Sequence, residues 1–376
     1  MTALRGAGYR IIRRGDVVKA GGYAPVNKIS RVIRLGQAGT VARFLPALLL
    51  LQPRRVTLIL KERMASRPMK SMIDIINNNI CDIQILKKDK KIFIFRMNPM
   101  PPYQGGTVKV PGNISSQFIS SLMMIAPLMK KGLRIIIKGN IVSQGYILLT
   151  AEMMKRFGIR SFISGRVVYV PPQKIRPSAL SFSGDWSAAA YYVGMAMLGK
   201  ADITLKSLPL NSSHPDRRIF TFARRNGVRI SRTGKGIRLL ADHVNQNPFR
   251  ADLSASPDLA PTLAVVGGCM QGTSLLSGLQ HLKFKESNRI KTVMWEMKRA
   301  GMIIRYDKGK WEITGCNLVP GHVINPHNDH RIAMSFAMLI ARFPGILIRN
   351  EEVVKKSYPS FWQDIRKLGV RIEKKA

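Results

Sequence analysis

Acidic side chains are scarce in this sequence. Asp and Glu number 21 against 61 Lys and Arg, which leaves a net charge of +40 at pH 7. Against so thin a background, a carboxylate that falls inside a polar motif stands out as a candidate for chemistry. Cysteine is also scarce. Cys81, Cys269 and Cys316 are odd in number and far apart, which excludes a disulfide framework and a CxxC metal pair and points to a reducing, cytoplasmic setting. Long apolar runs are missing: the best, Phe44 to Leu51, is too short for a membrane span and contains Pro46. The N-terminal stretch has arginines but no apolar signal core. Zinc-finger spacing and an aromatic-rich RNA-binding pattern are lacking as well. The positive charge is scattered as Arg13-Arg14, Lys87-Lys88, Lys130-Lys131, Arg224-Arg225 and Lys374-Lys375 rather than gathered in one tail or helix. A basic surface attracts phosphate backbones. With only charge in its support, nucleic-acid binding is not favoured as the main function, and no membrane partner is expected.

What is present is a globular chain with polar interruptions. A length of 376 residues and a hydrophobic content of 45% suit two domains with substantial cores. The interruptions read Gln37-Ala38-Gly39-Thr40, Lys61-Glu62-Arg63-Met64-Ala65-Ser66-Arg67-Pro68, Ser115-Ser116-Gln117-Phe118, Lys285-Glu286-Ser287-Asn288-Arg289 and Asn328-Asp329-His330-Arg331, with a weaker Lys355-Lys356-Ser357-Tyr358-Pro359. Each couples a cation or a hydroxyl to turn residues. Arginine offers a planar fork that fits carboxylate or phosphate at two points, so convergence of Arg67, Lys285, Arg289, Arg331 and Lys356 would make a site for a small polyanion. His322, His327 and His330 cluster in sequence, but their spacing fits no helical ligand pair and no metal is expected.

The chain also repeats. Helical stretches run into a glycine and then an apolar strand at Gly8, Gly158, Gly227, Gly301 and Gly369, and Asn77-Asn78-Asn79 takes the glycine's place before Ile80. Asparagine is the next best residue for a left-handed turn. The spacing of roughly 70 residues predicts six αβ modules. Lys308-Gly309-Lys310 and Arg232-Thr233-Gly234-Lys235-Gly236 predict hairpins. Prolines and serines interrupt the pattern near Pro177 to Gly184, and domains over 1–180 and 181–376 are expected.

At these motifs, taken in order along the whole chain, the sequence resembles the EPSP synthase family, the 3-phosphoshikimate 1-carboxyvinyltransferases. The resemblance implies an α/β, two-domain enolpyruvyl transferase fold of six βαβαββ repeats, three per domain, with the active site in the cleft between. It implies transfer of the enolpyruvyl group of phosphoenolpyruvate to the 5-hydroxyl of shikimate 3-phosphate, with release of phosphate, in the shikimate pathway of aromatic amino acid and chorismate biosynthesis. No metal or organic cofactor is implied, and a monomer is expected.

By resemblance, Ser115, Ser116, Gln117, Ser143, Tyr146, Asp258 and Lys285 contact shikimate 3-phosphate. Gly39, Arg67, Gln117, Arg289, Arg331 and Lys356 contact phosphoenolpyruvate. Asp258 matches the aspartate that takes the proton of the 5-hydroxyl, and Glu286 the glutamate that protonates the methylene carbon. Each has a plainer reading. Ser-Ser-Gln before Phe118 also suits a helix cap, and lone cations are most often surface ion pairs.

The sequence departs from the family pattern in places. The family begins with a strand and a Lys-Ser-x-x-x-Arg motif, and no such motif lies among the 36 residues before Gln37. The first repeat is therefore expected to be incomplete, with roughly 50 further residues encoded upstream of Met1. Gln37 stands for the usual asparagine, and the bulky Trp186 stands where alanine is usual, which puts local packing in question. The alternatives are an inactive truncated remnant, or the sister enzyme acting on UDP-N-acetylglucosamine. The sister usually carries a reactive cysteine in the loop corresponding to residues 61 to 68, and that loop has none here.

Overall fold

The computed structural model describes the chain except residues 24–29, 37–38, 62–63, 66–68, 90, 183, 316–320 and 374–376. Arg67, Gln37 and Cys316 therefore lie outside the described residues. The chain divides into two compact units, Met1–Ala179 and Leu180–Ala376.

In the first unit, the helix Thr2–Gly6 leads into a hairpin, Tyr9–Arg14 with Val17–Tyr23. Two complete βαβαββ modules follow. The first runs through strand Val32–Leu35, helix Gly39–Leu49, strand Val56–Lys61, helix Lys70–Asn79 and the hairpin Asp82–Lys88 with Ile92–Asn98. The second runs through Gly106–Pro111, helix Ser116–Ile125, Leu133–Lys138, helix Gln144–Arg156 and the hairpin Phe162–Ser164 with Val167–Val170. In each module the two leading strands are parallel and the hairpin closes the sheet antiparallel to them. Alternation along Val56–Lys61 and Ile92–Asn98 places Leu58, Leu60, Phe93, Phe95 and Met97 among the core residues.

The second unit holds one complete module: Arg250–Asp252, helix Ala260–Gly267, Thr273–Ser277, helix Arg289–Arg299 and the hairpin Ile303–Asp307 with Lys310–Thr314. Two partial modules flank it. The one built on helices Trp186–Leu198 and Ile219–Arg225 has a three-stranded sheet with no leading strand among the described residues. Its lead-in, Pro171 to Ser178, carries three prolines that supply no ladder donor. The other has the parallel pair Val323–Ile324 and Leu347–Ile348 and helix Phe361–Lys367. The strand expected after Gly369 does not form among the described residues.

The helix-ending glycines behave as the spacing predicts. Gly8, Gly158, Gly227, Gly301 and Gly369 all have positive φ. After three of them a 6→1 bond closes the helix: Ile159 N–H to Met154 O, Val228 N–H to Ala223 O and Met302 N–H to Met297 O. The asparagine run differs. Asn77–Asn79 stay helical with negative φ, and the helix closes at Ile80 instead. The 6→1 bond is kept, from the Cys81 N–H to the Ile76 carbonyl at 3.0 Å, and the Asn77 carboxamide oxygen accepts the Ile83 N–H at 2.6 Å. Trp186 is accommodated without disturbance. It is buried, meets Phe220 edge-on at 4.9 Å, and donates from Nε1 to the Pro209 carbonyl at 3.2 Å.

Two helices of the second unit are apolar on all sides and consequently interior. Trp186–Leu198 is buried at all but one of its residues, and Ala260–Gly267 at every residue. The helix His330–Ala337 packs on the latter, with Thr262 Oγ1 3.3 Å from Ser335 Oγ. Their N-termini carry Asp185, Asp258 and Asp329.

Gly132 precedes strand Leu133–Lys138 with φ +62°, and a Cβ there would collide with the Val170 carbonyl oxygen. Gly132→Ala is expected to cost at least about 1–3 kcal/mol in denaturant unfolding. Gly165→Ala has φ +53° but open space, and is expected to cost only about 1 kcal/mol.

Candidate active site

The second unit contains a network of alternating charge built on Arg289, the first residue of helix Arg289–Arg299. Asn288 caps that helix, its Oδ1 accepting from the Lys291 N–H. The guanidinium is 1% exposed and meets three carboxylates. Nη1 lies 2.9 Å from Asp258 Oδ1, Nη2 2.7 Å from Glu286 Oε2, and Nε 2.8 Å from Asp329 Oδ2. Asp329 is fully buried and also caps its own helix, accepting from the Arg331 N–H at 3.0 Å. Ser287 adds its hydroxyl and its N–H to Asp329 Oδ2, at 3.1 and 3.3 Å.

The remaining cations arrange themselves around the two outer carboxylates. Arg331 Nη2 is 3.0 Å from Asp258 Oδ2, and Lys285 Nζ is 3.5 Å from Asp258 Oδ1. Lys356 Nζ is 3.7 Å from Glu286 Oε1. Lys285, Arg331, Lys356, Asp258 and Glu286 each keep between 16% and 29% of the side chain exposed. They line a surface a ligand can reach, whereas Arg289 and Asp329 form its floor. The sequence-predicted residues Asp258, Lys285, Glu286, Arg289, Arg331 and Lys356 thus stand together within one unit.

The electrostatics follow from that arrangement. Burial alone would push Asp258 up, but Arg331, Lys285 and Arg289 outweigh it and hold the carboxyl well below the usual range. Asp329 is likewise held below its ordinary value: burial opposes ionisation, and Arg289 more than offsets it. Burial would lower Arg289, yet Asp329, Glu286 and Asp258 raise it. Lys285 is lowered by burial and by the neighbouring Arg289 and Arg331, against the pull of Asp258. Burial and adjacent cations push His281 and His330 down to about 4, so both are neutral near pH 7.

Two groups here escape sequence reasoning. Asp329 appears in a motif but carries no sign there that it is the hub's buried counter-ion; the one available signal was its position as a helix cap. Asp216 had no signal, since Pro-Asp-Arg-Arg reads as an exposed turn. It is in fact fully buried. Ser187 donates to its Oδ2, its N–H donates to His214 Nδ1 at 3.2 Å, and Oδ1 has no hydrogen-bond partner among the described residues. Burial, and then the Asp258 charge, push its carboxyl up.

In the first unit, parallel strands Gly106–Pro111 and Leu133–Lys138 each run into a helix, so the two helix N-termini lie at the same sheet edge. Ser115 caps the first, its Oγ accepting from the Gln117 N–H at 3.3 Å; the plainer capping role is therefore real. Ser116 is buried at the first position. Ser143 precedes the second helix in a left-handed conformation, φ +59°, with Tyr146 half-buried on the first turn. Thr150 Oγ1 donates to Ser120 Oγ at 2.8 Å and ties the two helices. Arg43, which sequence reasoning missed, is buried on helix Gly39–Leu49, the helix that starts at the buried Gly39. Its Nη1 donates to Gln117 Oε1 at 2.6 Å and lies 3.4 Å from Ser115 Oγ. The guanidinium also stacks over the Phe118 ring at 5.6 Å. It thereby sets the orientation of Gln117.

Among the described residues, no three His, Cys, Asp or Glu side chains are grouped so as to hold a metal ion. His327 and His322 instead direct Nε2 at the buried Glu296, at 3.0 and 4.0 Å. No helix among the described residues is long and apolar enough to cross a membrane.

Asp329→Asn is expected to destabilise the second unit by about 3–5 kcal/mol in denaturant unfolding, because it leaves Arg289 buried with an unbalanced charge. The two histidines generate a pH dependence. Each binds a proton in the unfolded chain near 6.5 but in the folded chain only near 4. Their stabilising effect is therefore complete above about 6.5 and is lost as pH falls toward 4. Asp216, with its raised folded value, works in the opposite sense. His281→Gln is expected to flatten the fall in stability between pH 6.5 and 4, read from unfolding midpoints at a series of pH values.

The pattern of the family described as EPSP synthase (3-phosphoshikimate 1-carboxyvinyltransferase) matches residues 1–365. A protein of Bacteroides fragilis named 3-phosphoshikimate 1-carboxyvinyltransferase is 35% identical, over 92% of this chain and 85% of its own length. Relatives of the same name from Clostridium perfringens and Methanothermobacter thermautotrophicus are 31% and 29% identical, over 96% and 99% of this chain and 82% and 87% of theirs. The solved EPSP synthase of Acinetobacter baumannii superposes with a TM-score of 0.75 at 22% identity, over 99% of this chain and 87% of that one. The enolpyruvyl transferase NikO of Streptomyces tendae gives 0.71 at 14% identity, over 99% and 86%. At these identities the two structures establish the enolpyruvyl transferase fold, and the sequence matches establish the rest: this chain belongs to the EPSP synthase family.

Proposed function

We propose that this chain is a cytoplasmic transferase that moves the enolpyruvyl group of phosphoenolpyruvate to the 5-hydroxyl of shikimate 3-phosphate and releases phosphate. The observation that carries this reading is the Asp258 carboxylate bracketed by Arg289, Arg331 and Lys285, with Glu286 alongside between Arg289 and Lys356. Addition across an enol ether needs a base at the attacking oxygen and an acid at the terminal carbon. Two carboxylates set among fixed cations meet that need, and the cations stabilise the charge of the tetrahedral intermediate.

The proposed course is as follows. Asp258 takes the proton of the 5-hydroxyl as that oxygen bonds to C2 of phosphoenolpyruvate, and Glu286 delivers a proton to C3. Elimination returns a proton from C3 to Glu286 while the bond from C2 to the phosphate oxygen breaks, and the proton held on Asp258 passes to the departing phosphate, which restores both carboxyl groups. Arg289, Arg331 and Lys356, with Arg67 and Gly39, hold the phosphoenolpyruvate anion. Ser115, Ser116, Gln117, Ser143, Tyr146 and Lys285 hold shikimate 3-phosphate, the serine hydroxyls and helix N-termini donating to its phosphate.

The ion pairs also suggest how the base is activated. Without ligand, Asp258 is held low by Arg331, Lys285 and Arg289 once the effect of burial is overcome, and so is a weak base. A substrate carboxylate or phosphate that draws Arg331 away removes part of that stabilisation and strengthens Asp258 only when the site is loaded.

For the product of the full reading frame, phosphate release is expected only when both substrates are present, followed by a coupled colorimetric assay; no release from that folded protein would overturn the assignment. Asp258→Asn and Glu286→Gln are expected to keep substrate binding and lose about 10²–10⁴-fold in kcat. Arg331→Ala is expected to weaken phosphoenolpyruvate by about 2–5 kcal/mol in calorimetric titration, and shikimate 3-phosphate by less.

A further inference from the structure

A second set of cations lies elsewhere in the second unit, on the module built from helices Trp186–Leu198 and Ile219–Arg225. A cavity of about 610 Å³ opens there between the turn at Ser212–His214, the helix Ile219–Arg225 and the edge strand Arg229–Thr233. Its floor is apolar, with Phe220 and Ile237 buried and Ile230 half-buried. Its rim is basic: Arg217, Arg224 and Arg232 are exposed, with Ser212 and Thr221 beside them. A neighbouring cavity of about 490 Å³ shares Leu210, Arg232 and Ile237 and adds Lys235. No carboxylate lines either one.

The placement of Arg232 is the informative detail. On strand Arg229–Thr233, Ile230 stands opposite Leu239 and Arg232 opposite Ile237. Directly opposed residues share a face, and Leu239 and Ile237 are both core residues. Arg232 thus stands on the inner face of the sheet, at its uncovered end, where an apolar residue would continue the core. The exposed arginines on the other positions of this sheet are neutralised: Arg229 pairs with Asp242, and Arg238 forms a two-point contact with Asp202 at 2.8 and 2.7 Å. Arg217, Arg224, Arg232 and Lys235 form no ion pair among the described residues. Scarcity of acid is not the reason, since acids are present on the same sheet and are spent on the outer face.

We propose that this cavity is a binding site for a phosphorylated ring compound of the nucleoside phosphate class, distinct from the charge network around Arg289. The volume lies within the range of small-molecule sites, about 300–1,000 Å³. The apolar floor is formed by Ile230 over the buried Ile237 and Phe220, and the Arg224 guanidinium, 5.9 Å over the Phe220 ring, adds a planar face on which a ring can stack. The arginine rim and the Ser212 and Thr221 hydroxyls match phosphate oxygens, which guanidinium groups bind in two-point geometry. The inference does not rest on the enolpyruvyl-transfer reading.

The test is calorimetric titration of the full chain with ATP and, separately, with inorganic triphosphate, at about 0.15 M salt to screen diffuse attraction. Saturable ATP binding is expected, weakened about tenfold or more by the double substitution Arg224→Gln with Arg232→Gln. It is expected to be unchanged in Arg229→Gln, which lies outside the cavity, and in Arg331→Ala, which disarms the Arg289 network. The substituted rim residues are exposed, and unchanged unfolding midpoints will show that the fold is kept. Triphosphate is expected to bind more weakly than ATP. Absence of saturable ATP binding, equal loss in Arg229→Gln, or loss in Arg331→Ala but not in the double variant would each overturn the site. Triphosphate binding as tightly as ATP would overturn the assignment of a ring to the apolar floor.

Discussion

A guanidinium keeps its proton at any pH a protein survives and carries five N–H donors in one plane. Buried, it has to be met by carboxylates in that plane, and Arg289 is met by three from three different segments. Asp258 comes from the turn leading into the interior helix Ala260–Gly267, Asp329 from the cap of His330–Ala337, and Glu286 from the segment just before Arg289 itself. One side chain therefore fixes the relative positions of three helix N-termini. The cost of leaving such a charge unpaired is several kcal/mol, which is why these segments hold their register although each is a loop or a cap.

The same contacts explain why the outer members of the network remain available. Arg289 takes its deepest partner, Asp329, wholly inside, and that pair is structural. Asp258 and Glu286 turn their other oxygens to Arg331 and Lys356, and Lys285 shares with Arg289 the first oxygen of Asp258; all three of these cations are partly exposed. Four cations, Lys285, Arg289, Arg331 and Lys356, are gathered on three carboxylates, Asp258, Glu286 and Asp329. Burial keeps His281 and His330 neutral near pH 7, so neither adds a charge. The carboxylates occupy the cations, an internal competition that lowers the basicity of Asp258.

The first unit solves a related problem with fewer charges. Ser115 both caps a helix and lies beside Arg43, and Arg43 in turn holds the Gln117 carboxamide while stacking on Phe118. Capping and ligand recognition are not rival readings of the Ser-Ser-Gln segment. A helix N-terminus that needs acceptors for its own N–H groups also presents hydroxyls and free donors outward. The buried Arg43 makes the arrangement rigid by spending one cation on orientation rather than on a ligand.

Much of this was legible in the chain itself. The helix-closing glycines marked the modules because positive φ is a local demand that only glycine meets cheaply. The hairpins at Lys308-Gly309-Lys310 and Thr233 to Gly236 followed from turn chemistry for the same reason. The collinear polar motifs named Lys285, Glu286, Arg289, Arg331 and Lys356, and the family resemblance they carry named Asp258. Where the structure differs, the packed surroundings decided the outcome. Asn77 accepts a bond from Ile83 and its helix closes at Ile80 without a left-handed turn, and Val370 to Ile372 form no strand among the described residues. Trp186 fills a space lined by Phe220 and Pro209 that no local pattern announces. Burial is likewise a property of the packed molecule. It separates Asp329 and Asp216 from ordinary surface acids, neutralises His281 and His330, and makes Arg43 an organiser instead of another basic residue in a chain that has 61. The sequence by itself determined which residue types recur at the punctuation points and in the motifs. Only tertiary structure decided which charges lose their water, because desolvation depends on what surrounds a group in space and not on its neighbours along the chain.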